Sequence, residues 1–200
     1  VAGGFDIETD VKGHRLALQR ARVYIPDVGW RSLEGDLGFE LHHRLAQTGA
    51  QEPIHDVRGI IALRDVKVQV PGLDRPALAW QRLLVHVDSV DLVARRAVVR
   101  SIDLSGPSVV ARPMIQPPLP LLARDPIAAA PPPAPTTTQA PWHWRIRTVR
   151  LTKGVARVES NAPPLDVGLD ATLRGLTSDA PEPVAVHAAL RAETCTDENN

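Results

Sequence analysis

Between Leu165 and Arg174 every second residue is apolar: Leu165, Val167, Leu169, Ala171 and Leu173 alternate with Asp166, Gly168, Asp170, Thr172 and Arg174. A period of two is the signature of an extended strand whose successive side chains point to opposite faces, one dry and one wet. The same alternation recurs along the chain. Leu33, Leu37, Phe39 and Leu41 share one parity against Glu34, Asp36 and Glu40. Val66, Val68 and Val70 alternate with Lys67 and Gln69, and Leu83, Val85 and Val87 with His86 and Asp88, although Leu84 interrupts the start of that run. Val184, Val186, Ala188 and Leu190 close the series. Strands of a parallel sheet covered on both faces would read as continuous apolar runs instead, so the pattern predicts an antiparallel, one-side-wet sheet.

Turn residues fall between these runs, at Pro71-Gly72 through Pro76, Gly106-Pro107, Lys153-Gly154 and Asn161 through Pro164. Residues 42–56 show no clear period and read as a loop with at most one helical turn. A short template, a long polar residue, a spacer, then two apolar residues around a polar one, occurs four times in order, at 19–23, 64–68, 100–104 and 147–151. Repeats of this kind suggest units that stack on their neighbours. Residues 113–141 hold 10 of the 19 prolines. Proline lacks the ladder donor and fixes φ, so this stretch reads as linker rather than sheet interior. The expected organisation is a β-repeat region over 1–112, the Pro-rich linker over 113–141, further β-repeat over 142–191, and a loose tail over 192–200.

Composition removes several function classes. Lys+Arg and Asp+Glu are 23 each, so the formal charge is zero and no basic excess points to nucleic acid. Cys195 is the only cysteine, which excludes an internal disulfide framework and any Cys-based zinc cluster. No window approaches the 18 or so consecutive apolar residues of a membrane-spanning helix. The chain begins at Val1 and its one methionine is Met114, so it reads as a fragment or processed product, and this stretch does not bear on whether an anchor or export signal exists.

No segment of ten or more residues has the period of an amphipathic helix, so no helix of the chain covers the dry face of the sheet. Each buried methylene is worth about 0.8 kcal/mol, and a bare face on five or six strands would forfeit more than a domain's net stability. A second sheet, closure into a barrel, or an apolar partner must cover it. The run LRDVKVQVPGLDRPALAWQRLLVHVD (63–88), then AVVRSIDLSGPSVVARP (97–113), the Pro-rich linker, and WRIRTVRLTKGVARVESNAPPLDVGLDATLRGL (144–176) resembles the bacterial AsmA-like superfamily, closest to its large periplasmic, TamB-related members. The likeness runs from about Val57 to Leu190. Its marks are the Pro76-Ala77-Leu78 strand entry, the alternating strand ending in Gly106-Pro107, and the restart at Trp144 to Ile146.

The resemblance implies an all-β fold with little helix: a curved antiparallel sheet of repeated strands, as a β-groove or open half-barrel. It further implies a periplasm-facing protein of a Gram-negative envelope, held at the inner membrane by an anchor absent from this chain. The role would be lipid binding or phospholipid transport toward the outer membrane, alone or with other envelope proteins. Acyl chains would lie on Leu37, Phe39, Val66, Val68, Val85, Val87, Ile102, Leu104, Leu165, Val167 and Leu169, while Arg95 and Arg96 would contact headgroups. The alternative is that these residues are the closed core of a ligand-free structural or adhesive β-sandwich. Trp30, Trp80, Trp142 and Trp144 suit either groove rims and membrane interfaces or caps on a core.

Signs of catalysis are lacking. Ser101, Ser105 and Ser108 do not form a Gly-x-Ser-x-Gly elbow, and Gly3-Gly4 has no strand before it and no Gly-Lys-Ser/Thr after it. His42-His43 with His55-Asp56 is the one clustered set of metal-type side chains, but adjacent histidines on a strand face opposite ways. The expectation is therefore a non-enzymatic protein with no cofactor, no metal site and no nucleic-acid partner.

Overall fold

In the computed structural model the described residues are 4–20, 30–48, 53–111, 141–159, 165–179 and 184–194. They form nine strands: β1 (Phe5–Ala17), β2 (Ser32–Gln47), β3 (Ile54–Gln69), β4 (Leu78–Asp91), β5 (Arg96–Ser105), β6 (Ser108–Ala111), β7 (His143–Val158), β8 (Leu165–Thr177) and β9 (Ala185–Thr194). Among the described residues there is no α-helix, only a 3-10 turn at 18–20. The strands make a single curved sheet in the order β1-β2-β3-β4-β5-β7-β8-β9, with the short β6 pairing both β4 and β7. The fold is therefore all-β and curved, and the sheet does not close into a barrel.

Three features depart from the sequence expectation. First, the sheet is mixed. β1 to β5 and β7 to β9 pair antiparallel, but β5 and β6 both lie parallel to β7, joining the regions before and after the Pro-rich segment into one sheet. Alternation reports which residues share a face; it carries no information on strand direction. Second, residues 42–47 and 54–56, expected as loop, complete β2 and open β3. Their period was obscured because His43 and His55 occupy dry-face positions. Third, β9 continues to Thr194, so the expected tail begins later than residue 192. The linker residues 112–140 and Cys195 lie outside the described residues.

Bulges explain the broken parities. Asp65 has φ +49° inside β3, and both it and Arg64 are exposed, whereas the next residue, Val66, is 1% exposed. The extra residue moves the dry face from odd positions (Ile61, Leu63) to even ones (Val66, Val68, Val70). β2 shifts register opposite this point, between Glu34 and Asp36. Arg15 in β1 (φ +51°) and Lys153 in β7 (φ +55°) mark similar shifts, at Gly13/Leu16 and Leu151/Gly154.

No strand contacts any strand other than its hydrogen-bonded neighbours. Among the described residues a facing layer is therefore absent, and the core is small: Ala46, Ala62, Val66, Val68, Val70, Leu73, Ala77 and Val110 are the buried apolar residues. Most of these gather at the β3–β4 turn, where Trp30 packs over Val70, Leu73 and Ala77.

Candidate functional site

Directly paired residues of neighbouring strands point to the same side, so the register can be read as rows across the sheet. One row runs Leu16, Leu37, Leu63, Leu83, Leu104, Leu151, Ala171, Ala188. The next runs Gly13, Phe39, Ile61, Val85, Ile102, Val149, Leu173, Val186. A third runs Val11, Leu41, Gly59, Val87, Val99, Ile146, Leu176. Three successive rows thus contain only apolar side chains and glycine across seven or eight strands.

The rows between them are mixed. Gly38, Ala62, Leu84, Asp103, Arg150 and Thr172 separate the first two, and Lys12, Glu40, Ile60, His86, Ser101, Thr148 and Arg174 the second and third, while Asp36, Arg64, Arg82, Ser105 and Thr152 flank the first on its other side. Cross-strand ion pairs lace this wet side: Arg44 with Asp6 at 2.7 Å, Arg100 with Asp88 at 2.6 Å, Arg147 with Asp88 at 3.3 Å, and Arg157 with Asp166. Exposed pairs of this kind add little stability. They keep that face solvated and leave the dry face as the uncommitted one.

The sequence-selected lining residues fall into three groups. Leu37, Phe39, Val85, Val87, Ile102 and Leu104 fall in the three rows across the centre of the face, each partly exposed. Leu165, Val167 and Leu169 extend the surface onto β8, paired with Val158, Ala156 and Gly154. Val66 and Val68, at 1% and 3% exposed, offer no surface and belong to the small core beneath Trp80 and Leu78, their partners in β4. Phe39 lies over Gly13, where a Cβ would stand 2.6 Å from the ring.

The lining set read from the sequence left out Ile61, Leu63, Val149 and Leu151, which continue the central rows, because bulges break the period within β3 and β7; Leu173, already in the apolar parity of β8, joins them. Arg95 and Arg96 stand at the β4–β5 turn, at the sheet end opposite the small core, where the Arg95 carbonyl accepts the His143 amide at 2.8 Å.

The histidines separate as alternation requires. His42 reaches the wet side and meets Asp10 at 3.0 Å, whereas the rings of His43 and His55 meet edge to face with centroids 4.7 Å apart. Among the described residues no three His, Cys, Asp or Glu side chains gather as a metal cluster, and no helix is long and apolar enough to cross a membrane.

At the β1 edge, the bidentate hydrogen bond from the Arg44 guanidinium holds the Asp6 carboxyl below its ordinary value near 3.8. A pKa depressed in the folded state contributes stability above the unfolded value, and that contribution is lost as pH falls through the folded value. A carboxyl NMR titration should therefore place the Asp6 midpoint below that of an unpaired aspartate, and Arg44→Ala should return it. An unmoved midpoint in the variant would show that Arg44 is not the cause.

No protein-family model, no curated protein and no solved structure matches this chain.

Proposed function

We propose that the protein is a non-enzymatic lipid carrier that holds phospholipid acyl chains along the dry face of its sheet. In this reading it works in the periplasm as part of an AsmA-like, inner-membrane-anchored envelope system that moves lipid toward the outer membrane. The observation that supports it is the set of unbroken apolar rows over which no described strand lies. Passing a sixteen-carbon chain through water costs on the order of 13 kcal/mol at about 0.8 kcal/mol per methylene. A continuous strip of Leu, Val and Ile replaces that water with protein contacts while a charged headgroup stays in solvent. The rows cross strand after strand, so the strip has no internal barrier at which the chain would have to leave it.

The test is lipid extraction and mass spectrometry of the purified chain. Phospholipid should co-purify, and Val85→Glu or Val167→Glu should lower its amount about tenfold, because a carboxylate on the apolar strip must be desolvated beneath an acyl chain. Circular dichroism should show the strand content unchanged. Lipid-free protein whose dry face is instead closed against a second copy would replace this reading with that of a structural β-module.

A further inference from the structure

The sheet is open at two edges: among the described residues β1 pairs only with β2, and β9 only with β8. An edge strand presents a row of backbone N–H and C=O groups that only another strand can receive in full, and proteins blunt such edges with bulges, prolines and charges. β1 is blunted. Its register breaks between Gly13 and Leu16, Arg15 has φ +51°, and Asp6, Glu8, Asp10 and Lys12 alternate along it. Pairing β1 with its own copy, centred anywhere from Asp6 to Asp10, would set two carboxylates directly opposite, which is repulsive. β9 carries none of these devices. Ala185–Thr194 holds no proline and no lysine, and it pairs with β8 residue by residue without a register shift. Val186 and Leu190, on its dry side, are 58% and 71% exposed, and Leu190 is the most exposed large apolar side chain among the described residues.

We propose that β9 pairs antiparallel with β9 of a second copy of this chain, about a two-fold axis that passes between Leu190 and its counterpart, joining the two sheets edge to edge. This is independent of what covers the dry face. Directly opposed residues share a side, so the two-fold keeps both dry faces together. Leu190 meets Leu190 of the second copy, and Ala188 meets Ala192 of the second copy. The Leu169–Leu190 pair is thereby extended by the same pair of the second copy, and the dry side stays apolar across the seam. On the wet side Arg191 comes opposite Ala189 of the second copy, whose neighbour in β8 is Asp170. Arg191 makes no ion pair with any described residue, and Asp170 engages only Oδ1 there, accepting the Lys153 amide at 2.8 Å. The two residues stand two strand spacings apart, about 10 Å between Cα atoms, with only a methyl group between them. That lies within the combined reach of the two side chains, and the two-fold makes the contact twice. Charge also selects the register, because an axis at Ala189 would oppose Arg191 to His187, and one at Arg191 would oppose two guanidinium groups. Two copies close this assembly, whereas β9 against β1 would meet the β1 bulge and extend without end.

The experiment is sedimentation equilibrium of the full chain, which should report a dimer. Leu190→Lys should weaken it about a hundredfold, since two leucines no longer leave water and two ammonium groups oppose each other. Circular dichroism should show the strands intact, because this side chain is exposed in the single copy. Arg191→Asp should weaken the dimer about tenfold, and adding Asp170→Arg to it should restore the parent affinity, a recovery that a general loss of β9 structure would not give. Cross-linking tests the register directly. In a Cys195→Ser background under oxidised glutathione, Leu190→Cys should form a covalent dimer, because directly opposed residues lie within disulfide range. Ala188→Cys, four residues out of register with its own counterpart, should not. A chain that stays monomeric, assemblies that keep growing with concentration, cross-linking at position 188 instead of 190, or a charge exchange that restores nothing would overturn the proposal. So would a dimer that survives Leu190→Lys but is lost with Val85→Glu, which would mark association through the apolar rows instead of the edge.

Discussion

Gly59→Ala is expected to destabilise the sheet by about 2–6 kcal/mol, the combined cost of a disfavoured backbone region and an overpacked contact. Gly59 sits in the third apolar row, between Leu41 and Val87, with φ +148°. A Cβ built on that backbone would lie 2.0 Å from the Glu40 carbonyl oxygen and 2.9 Å from the Leu41 Cα. Both are main-chain atoms of β2, which no rotamer change can move aside. Relief requires β2 and β3 to separate at the point where β3 also shifts register against β4, between Val57 and Gly59. Urea denaturation followed by circular dichroism measures the effect. Gly168→Ala is the control: it lies in β8 with its nearest Cβ neighbour at 3.6 Å, and it should be neutral or stabilise by up to about 1 kcal/mol through the unfolded chain. Equal midpoints for the two variants would show that the β2–β3 approach is not tight.

Removing residues 116–137 is expected to detach β7, β8 and β9 from the rest of the sheet. β6 ends at Ala111, which pairs with Val158 at the far end of β7, yet the chain must next supply His143 at the near end, beside Arg96. Parallel neighbours always impose such a return. The return runs the length of β7, about 50 Å at about 3.3 Å per residue. The full connection of residues 112–142 reaches about 100 Å when extended, whereas 112–115 joined to 138–142 reaches only about 36 Å. Amide hydrogen exchange should then show β7–β9 losing protection while β2 and β3 keep theirs. Full protection of β7 after the deletion would mean that the parallel pairing is not the one described.

These two cases show how the sequence and the tertiary structure divide the information. The alternation at Leu165–Arg174 identifies strands and sorts their side chains into a dry and a wet set, since a period of two is a property of the extended chain itself. It also put Phe39, Val85 and Ile102 on one face, because a period of two fixes that side whatever strand lies next to them. The Pro-rich stretch could be read as a break in the sheet for an equally local reason, the missing amide of proline.

Pairing, by contrast, is settled between distant residues. Whether β7 runs with or against β5 depends on which edges are free when it arrives. The αL residue Asp65 decides which parity of β3 is dry on either side of it, and nothing in the Arg64-Asp65-Val66 triplet announces the switch. Val66 and Val68 became core, whereas Val85 and Ile102 stayed partly exposed, because the former lie toward the β3–β4 turn and the latter lie mid-face. The sequence by itself determined that this chain has an apolar side; only the tertiary structure decided that no strand of the described residues faces it and where the small core sits, since both follow from long-range register rather than from any local run of residues.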